Sequence, residues 1–589
     1  MIQLDYSRDS LFDELGLKRL KESYLKDDET SPQERFAFVS EKFSSNPEHA
    51  QRLYEYSSKH WLSYATPILS FGRNKKGMPI SCFLKYIEDT AEGLVDSLSE
   101  TNWLSMMGGG VGIGVGMRSA TDEKSTGVMA HMKTYDSCSL AYKQGKTRRG
   151  SYAAYLDISH PDIIPFMEMR KPTGDPNIRC LNMHNGVMIS DKFMKIIEKS
   201  MTEKNFDDTW ELIDPASGSV RETISAKYLW QQLLELRITT GEPYLLFIDT
   251  ANDALPREQY DAGLRIRQSN ICTEITLVTD AKRTAVCCLS SFNLAYWDSF
   301  KDQLELFVSD VAEMLDNVLT YFIENAPNTV EPAKFSAMRE RAIGLGALGF
   351  HSYLQSKLIP FESVAAKSFN NLVFKNIRKY ADLTNYRLGK ERGEAPDMVG
   401  SGKRFSHVIA VAPNATTSII MGNISPSIEP LRGNAFTQKT SSGTFLYKNN
   451  QLNDLLLTKN IRDLDEIWSE INAHDGSVQS LKCLSDVEKE VFKTALEIDQ
   501  RWIIEHAADR QVYIDQAQSV NLFFKPDVNI KYIHAVHFLA WKKKLKTLYY
   551  CRSEQIKKAD RISQKIERKR LDEIDLTKIV EGEECLACT

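Results

Sequence analysis

Ser269-Asn-Ile-Cys-Thr-Glu274 places an amide, a thiol and a carboxylate at every second position. Successive side chains of extended backbone point to opposite faces, so the spacing predicts Asn270, Cys272 and Glu274 projecting to one side as a cluster able to hold a hydroxylated ligand. An ionic thiol nucleophile wants a cation beside the sulfur, whereas a nearby carboxylate or an apolar pocket raises the cysteine pKa and keeps the S–H intact. Cys272 therefore reads as a hydrogen-atom donor, against the alternative of a buried structural cysteine with ordinary polar neighbours.

Other stretches add to this cluster. Pro79-Ile-Ser-Cys-Phe-Leu84 reads as a strand presenting Cys82, and Ala285-Val-Cys-Cys-Leu-Ser290 as a strand whose two adjacent cysteines must face opposite ways, so that only one can face Cys82. Gly108-Gly-Gly-Val-Gly-Ile-Gly-Val-Gly116 has glycine at nearly every second position, which allows close backbone approach but does not fit G-x-G-x-x-G in any register. Gln144-Gly-Lys-Thr-Arg-Arg-Gly150 is either a solvated basic turn or a loop for phosphate or base contacts. Gly344-Leu-Gly-Ala-Leu-Gly349 does match the dinucleotide spacing, yet Met338-Arg-Glu-Arg-Ala342 before it is no hydrophobic strand and no acidic residue follows in a clear second strand. His407-Val-Ile-Ala-Val-Ala-Pro-Asn-Ala-Thr-Thr-Ser418 predicts a strand and then a helix start, either capped by Thr416 or binding phosphate on its open N–H groups. Leu545-Lys-Thr-Leu-Tyr-Tyr-Cys551 carries two adjacent tyrosines, and a charge-rich run leads to Cys585-Leu-Ala-Cys588, half a zinc site at most and better suited to a mobile redox dithiol.

From about residue 60 onward these segments resemble the large, catalytic subunit of class I ribonucleotide reductase. The resemblance implies that Cys272 becomes a thiyl radical, that Glu274 takes the 3′-hydroxyl proton, and that Asn270 binds the reacting hydroxyls. It makes Cys82 and Cys287 the reducing pair, with Cys287 chosen over Cys288 by the family's Cys-x-Leu-Ser pattern, and Cys585 and Cys588 the swinging reductant. Tyr549 and Tyr550 match the paired radical-relay tyrosines. Thr66, Ser81, Asn414, Ala415, Thr416 and Thr417 fall at substrate positions, the last four at the diphosphate turn. Arg148 falls where the substrate is contacted, although Arg149 beside it replaces an expected Pro or Gly. Asp89 and Arg118 fall at the effector site. The implied cofactor is none in this chain: the radical comes from a metal-containing small subunit. Thioredoxin or glutaredoxin, nucleoside diphosphate substrates and (deoxy)nucleoside triphosphate effectors are the other implied partners, in a homodimer. The residues ahead of Ala65-Thr-Pro67 are too few for the family's N-terminal ATP-cone, so overall control by dATP is not expected.

The whole chain accords with this. It has 589 residues, 42% hydrophobic and 26% charged, with a net charge of −5, which describes no cationic field for nucleic acid. No basic leader with an apolar core and no run of about 18 apolar residues occurs, so a cytoplasmic protein away from membranes is expected. Ten cysteines are too sparse for a secreted disulfide scaffold, and reduced thiols are expected. Capping signals at Ser31-Pro-Gln-Glu34 predict an N-terminal helical region over 1–65. Alternating helix and strand units, such as Lys227 to Arg237 before Tyr244-Leu-Leu-Phe-Ile248, predict an α/β fold over 66–550, and the resemblance makes it a ten-stranded barrel of two antiparallel halves of parallel strands. Leu304, Phe307, Val311, Met314, Leu315, Val318 and Phe322 share one face of a long core helix. Residues 551–589 are expected to form a flexible redox tail. Two rivals stand beside the radical reductase: a cobalamin-dependent reductase, disfavoured by the tyrosine pair, and a nucleotide-binding regulator without turnover, disfavoured by the five thiols.

Overall fold

Ser31 and Glu34 form the expected reciprocal cap on a Pro32–Phe43 helix, and Asn46 caps Pro47–Ser58. With Glu14–Ser23 these helices form a layer whose buried Leu20, Phe36, Val39, Phe43 and Leu53 join the main core. The structure, a computed structural model, describes residues 2–73, 77–120, 125–142, 151–440, 443–459, 461 and 463–553. Arg148 and the Cys585/Cys588 tail therefore lie outside the described residues.

Nine strands form the central sheet: β1 (Leu62–Tyr64), β2 (Cys82–Ile87), β3 (Gly110–Val115), β4 (Ser151–Asp157), β5 (His184–Ile189), β6 (Tyr244–Phe247), β7 (Ala285–Asn293), β8 (Ile343–Leu348) and β9 (Thr547–Leu548). β2 to β6 run parallel to one another in chain order. β7 then lies antiparallel to β2, with Cys287 opposite Cys82, and β8 parallel to β7. Beyond β8 the ladder passes through the bridges Leu345–Ile409 and Val411–Gln518, through Tyr549 N donating to Val520 O, and back to β6 through antiparallel β9. The ring thus closes as an α/β barrel of five parallel strands, β2 to β6, against five extended segments: β7, β8, 408–411, 517–520 and β9 with its flanks.

Side-chain parity follows from the two-residue period. Val111, Ile113 and Val115 of β3 point out to the helices, as do Val286 and Cys288 of β7, while Ala285, Cys287 and Leu289 point into the lumen with Leu84 and Ala410. The expected Leu304 helix spans Leu304–Asn325 with all seven predicted core residues buried. The Gly344–Gly349 motif runs from strand into helix: Gly344 and Gly346 lie in β8, where a Cβ on the first would sit 3.0 Å from Leu289 and one on the second 2.9 Å from Ala410 O, while Gly349, at φ 77°, is the N-cap of the Phe350–Ser356 helix.

The Leu304–Asn325 helix is tied to the barrel by Asp316, whose buried carboxylate meets Arg341 at 2.7 Å, Arg392 at 2.8 Å and Arg404 at 3.1 Å. Burial opposes the charge, but the three guanidiniums hold the Asp316 pKa below its ordinary value. A depressed carboxylate contributes stability that is present above the unfolded pKa and lost as pH falls through the folded one. Asp316→Ala, which leaves three cations without their acceptor, is expected to cost about 3–5 kcal/mol in urea unfolding near neutral pH. The gap from wild type should narrow in acid.

Candidate active site

The segment carrying Cys272 is not the extended strand that its alternation predicts. It is a turn inside the barrel: Thr273 N donates to Asn270 O at 3.3 Å and Thr273 takes φ 67°, in the left-handed region. Lumen packing overrides local pattern here. A Cβ on Gly112 would lie 1.9 Å from Ser269 O, one on Gly110 2.4 Å from Ile271 Cδ1 and one on Gly114 2.5 Å from Gln268 Oε1. The glycine stripe of β3 is therefore the bed on which residues 268–271 rest, with no room for a side chain beneath them.

Other walls hold the turn by its backbone. Tyr155 Oη donates to Asn270 O at 2.6 Å, Ala517 N to Glu274 O at 2.9 Å, and Ser519 Oγ to Cys272 O. Asn270 Oδ1 accepts from Ile275 N at 3.1 Å, while its Nδ2 is a buried donor with no hydrogen-bond partner in the described protein. Glu274 Oε2 accepts from Ser519 Oγ at 3.2 Å. Burial pushes the Glu274 carboxyl up to about 7, against the pull of the Ser519 hydroxyl.

Cys82 and Cys287 are register partners at the antiparallel seam of β2 and β7. Their Cα atoms are held at the spacing of a ladder pair, about 4.5–5.5 Å, which suits a disulfide. Cys287 accepts a hydrogen bond from Gln516 Nε2 at 3.4 Å, and burial raises its pKa well above the ordinary thiol value, with Cys288, Cys82 and Glu274 adding to the rise. Cys288 faces away, its Sγ 3.4 Å from Leu315 O in the outer core. None of the described cysteines is in a disulfide. Tyr549 Oη donates to Cys272 Sγ at 3.8 Å, and the Tyr549 and Tyr550 rings lie 4.3 Å apart between centroids. Tyr244 packs against both, at 4.8 and 5.1 Å.

The Asn414 turn reaches the same interior. Asn414 takes φ 50° and its Nδ2 donates to Ser291 Oγ of β7 and Ala347 O of β8, each at 3.2 Å. The predicted strand before it is reduced to isolated bridges at Ile409 and Val411, and the helix after it is only Thr417–Ile420, with no side-chain cap from Thr416. Thr66 and Thr416 line one cavity, and Ser81 is buried with its carbonyl accepting from Gly110 N at 2.7 Å. Asp89 and Arg118 form a separate ion pair of 2.7 Å, at the far ends of β2 and β3, about 20 Å along the strand from Cys82. Among the described residues no group of three or more His, Cys, Asp or Glu could hold a metal ion, and no helix is long and apolar enough to cross a membrane.

Models of the ribonucleotide reductase barrel domain match residues 80–402 and 396–551, and the model of its all-alpha domain matches 10–77. The chain belongs to the ribonucleotide reductase large-subunit family. It is 51% identical to the ribonucleoside-diphosphate reductase large subunit of Invertebrate iridescent virus 3, over 95% of this chain and 97% of that protein. The corresponding subunit of Invertebrate iridescent virus 6 is 36% identical over 95% and 94%. The class Id ribonucleotide reductase alpha subunit of Actinobacillus ureae superposes with a TM-score of 0.81 at 32% identity, covering 94% of this chain and 98% of that one.

Motif reading passed over Ser519, Gln516, Tyr155 and Tyr244. Each is a lone polar or aromatic residue on a wall strand or its flank, with no pattern around it to mark it. The Gly108–Gly116 stretch did carry a signal, since alternate glycines on one face of a strand mean that something lies against that face. Gly112→Ala is expected to displace the Ser269–Asn270 backbone, lowering stability by about 1–3 kcal/mol. Turnover should fall about a hundredfold through misplacement of Cys272 by the order of 1 Å. Thermal unfolding and kcat measured on one preparation check both.

Proposed function

We propose that this chain reduces ribonucleoside diphosphates to 2′-deoxyribonucleoside diphosphates by thiyl-radical chemistry. The observation that supports it most is the convergence of Cys272, Cys82, Cys287 and Glu274 on the barrel interior, with Tyr549 Oη on the Cys272 sulfur. An oxidising equivalent from a separate small subunit passes through Tyr550 and Tyr549 and leaves Cys272 as a thiyl radical. The radical takes the 3′ hydrogen atom and Glu274 takes the 3′-hydroxyl proton. The 2′-hydroxyl then leaves as water, and Cys82 and Cys287 together supply two protons and two electrons, ending as a disulfide. Glu274 returns its proton to the 3′ oxygen, and Cys272 returns its hydrogen atom to C3′ and regains the radical. The disulfide is reset by exchange with Cys585 and Cys588, themselves reduced by thioredoxin or glutaredoxin. Thr66, Ser81 and Asn414 to Thr417 hold the substrate together with Arg148, and Asp89 and Arg118 take the effector.

Cys272→Ser tests the reading directly, because a hydroxyl fits the space but its O–H bond is too strong to carry the radical. Reduction by the complex with a small subunit should vanish while nucleotide binding persists; retained turnover would refute the radical assignment. Wild-type enzyme turned over once without external reductant should yield a Cys82–Cys287 peptide on mass mapping, not a Cys82–Cys288 one, and Cys288→Thr should stay active.

The Glu274 carboxyl supplies a pH signature. As a base it must be ionised, so kcat should rise with pH through about 7. Its pKa is raised by folding, so the stability it contributes is present below the ordinary carboxylate range and lost as pH climbs through about 7. Glu274→Gln should therefore be inactive at every pH yet no less stable than wild type at pH 8.

A further inference from the structure

A cavity of about 490 Å³ opens beside the Asn414 turn, lined by Thr66 and Thr416 together with Arg19, Ser70, Arg73 and Gly108. Among the described residues Arg19 Nε and Arg73 Nη1 are buried with no hydrogen-bond partner, and neither guanidinium forms an ion pair. None of the described residues lining the cavity is a carboxylate. One buried donor on each guanidinium thus faces a common cavity without an acceptor, a cost that an anion there would relieve.

The hydroxyl turn cannot neutralise such an anion by itself. Thr66, Thr416 and Thr417 are neutral, the Asn414 amide is engaged with Ser291 and Ala347 O, and a helix of four residues adds little dipole. Arg19 is brought to the turn by the Glu14–Ser23 helix, which Asp13 caps through Gly16 N at 2.6 Å. That helix presses on Thr417–Ile420, since a Cβ on Gly16 would stand 3.4 Å from Ile419 O. Arg73 comes from the turn after Thr66–Leu69, with its N–H on Ser70 O at 3.2 Å.

We infer that Arg19 and Arg73 bind the terminal phosphate of the substrate diphosphate, so that the N-terminal helical layer reads the charge of a ligand whose sugar is held by the barrel. This rests on the reaction proposed above. Guanidinium forks match phosphate oxygens two at a time, and hydrogen bonds of this charged kind set the size of the effect.

Two measurements separate the inference from the reaction. In steady-state reduction of cytidine diphosphate by the full chain with a small subunit, Arg19→Gln and Arg73→Gln should each raise KM about ten- to a hundredfold with kcat nearly unchanged. The Arg→Lys variants should recover part of the loss. Calorimetric titration of the chain alone with inorganic pyrophosphate, which needs no turnover, should weaken in the Gln variants by a similar factor. Gln variants that bind pyrophosphate as wild type does would overturn the inference, as would Lys variants as damaged as the Gln ones. Arginine-dependent pyrophosphate binding in a wild-type complex that fails to reduce the diphosphate would uphold this site and refute the reaction instead.

Discussion

A carbonyl oxygen, that of Ser269, stands where residue 112 would have to place a Cβ, and the site is built around that exclusion. A closed barrel of ten segments would ordinarily fill its interior with side chains; this one surrenders the inward face of a whole strand to glycine so that a loop can enter. Once inside, the loop is held through its backbone carbonyls by Tyr155, Ser519 and Ala517, so the placement of Cys272 and Glu274 rests first on walls that touch the main chain.

Much of this was legible in the sequence, for identifiable reasons. Period-two parity fixed the opposed directions of Cys287 and Cys288, because adjacent residues of a strand cannot share a face, and capping chemistry fixed the start of the Pro32–Phe43 helix. Parity misled at Asn270 to Glu274, where the same alternation sits on a turn whose left-handed Thr273 only tertiary packing stabilises. The segments 408–411 and 517–520 carry too few ladder bonds to read as strands, so barrel closure was visible through family likeness and not through pattern. Ser519 and Gln516 were hidden for the same reason, being polar residues on segments whose partners are distant in the chain. The guanidinium pair was hidden too, since Arg19 and Arg73 come from different elements and meet only in space.

The two halves of the barrel meet antiparallel at two places, β2 against β7 and β6 against β9, and the groups proposed to carry the redox chemistry sit at these joins. Cys82 and Cys287 straddle the first. Tyr549 follows directly on β9 at the second, beside Tyr244 of β6. Each half is internally a stiff panel of parallel ladder, whereas β9 contributes only two residues to its join. Any offset of one panel past the other would therefore alter the gap between the two thiols and the contact between tyrosine oxygen and Cys272 sulfur together. The proposed thiol pair and the tyrosine–cysteine contact thus share one geometric coordinate, the offset between the two panels.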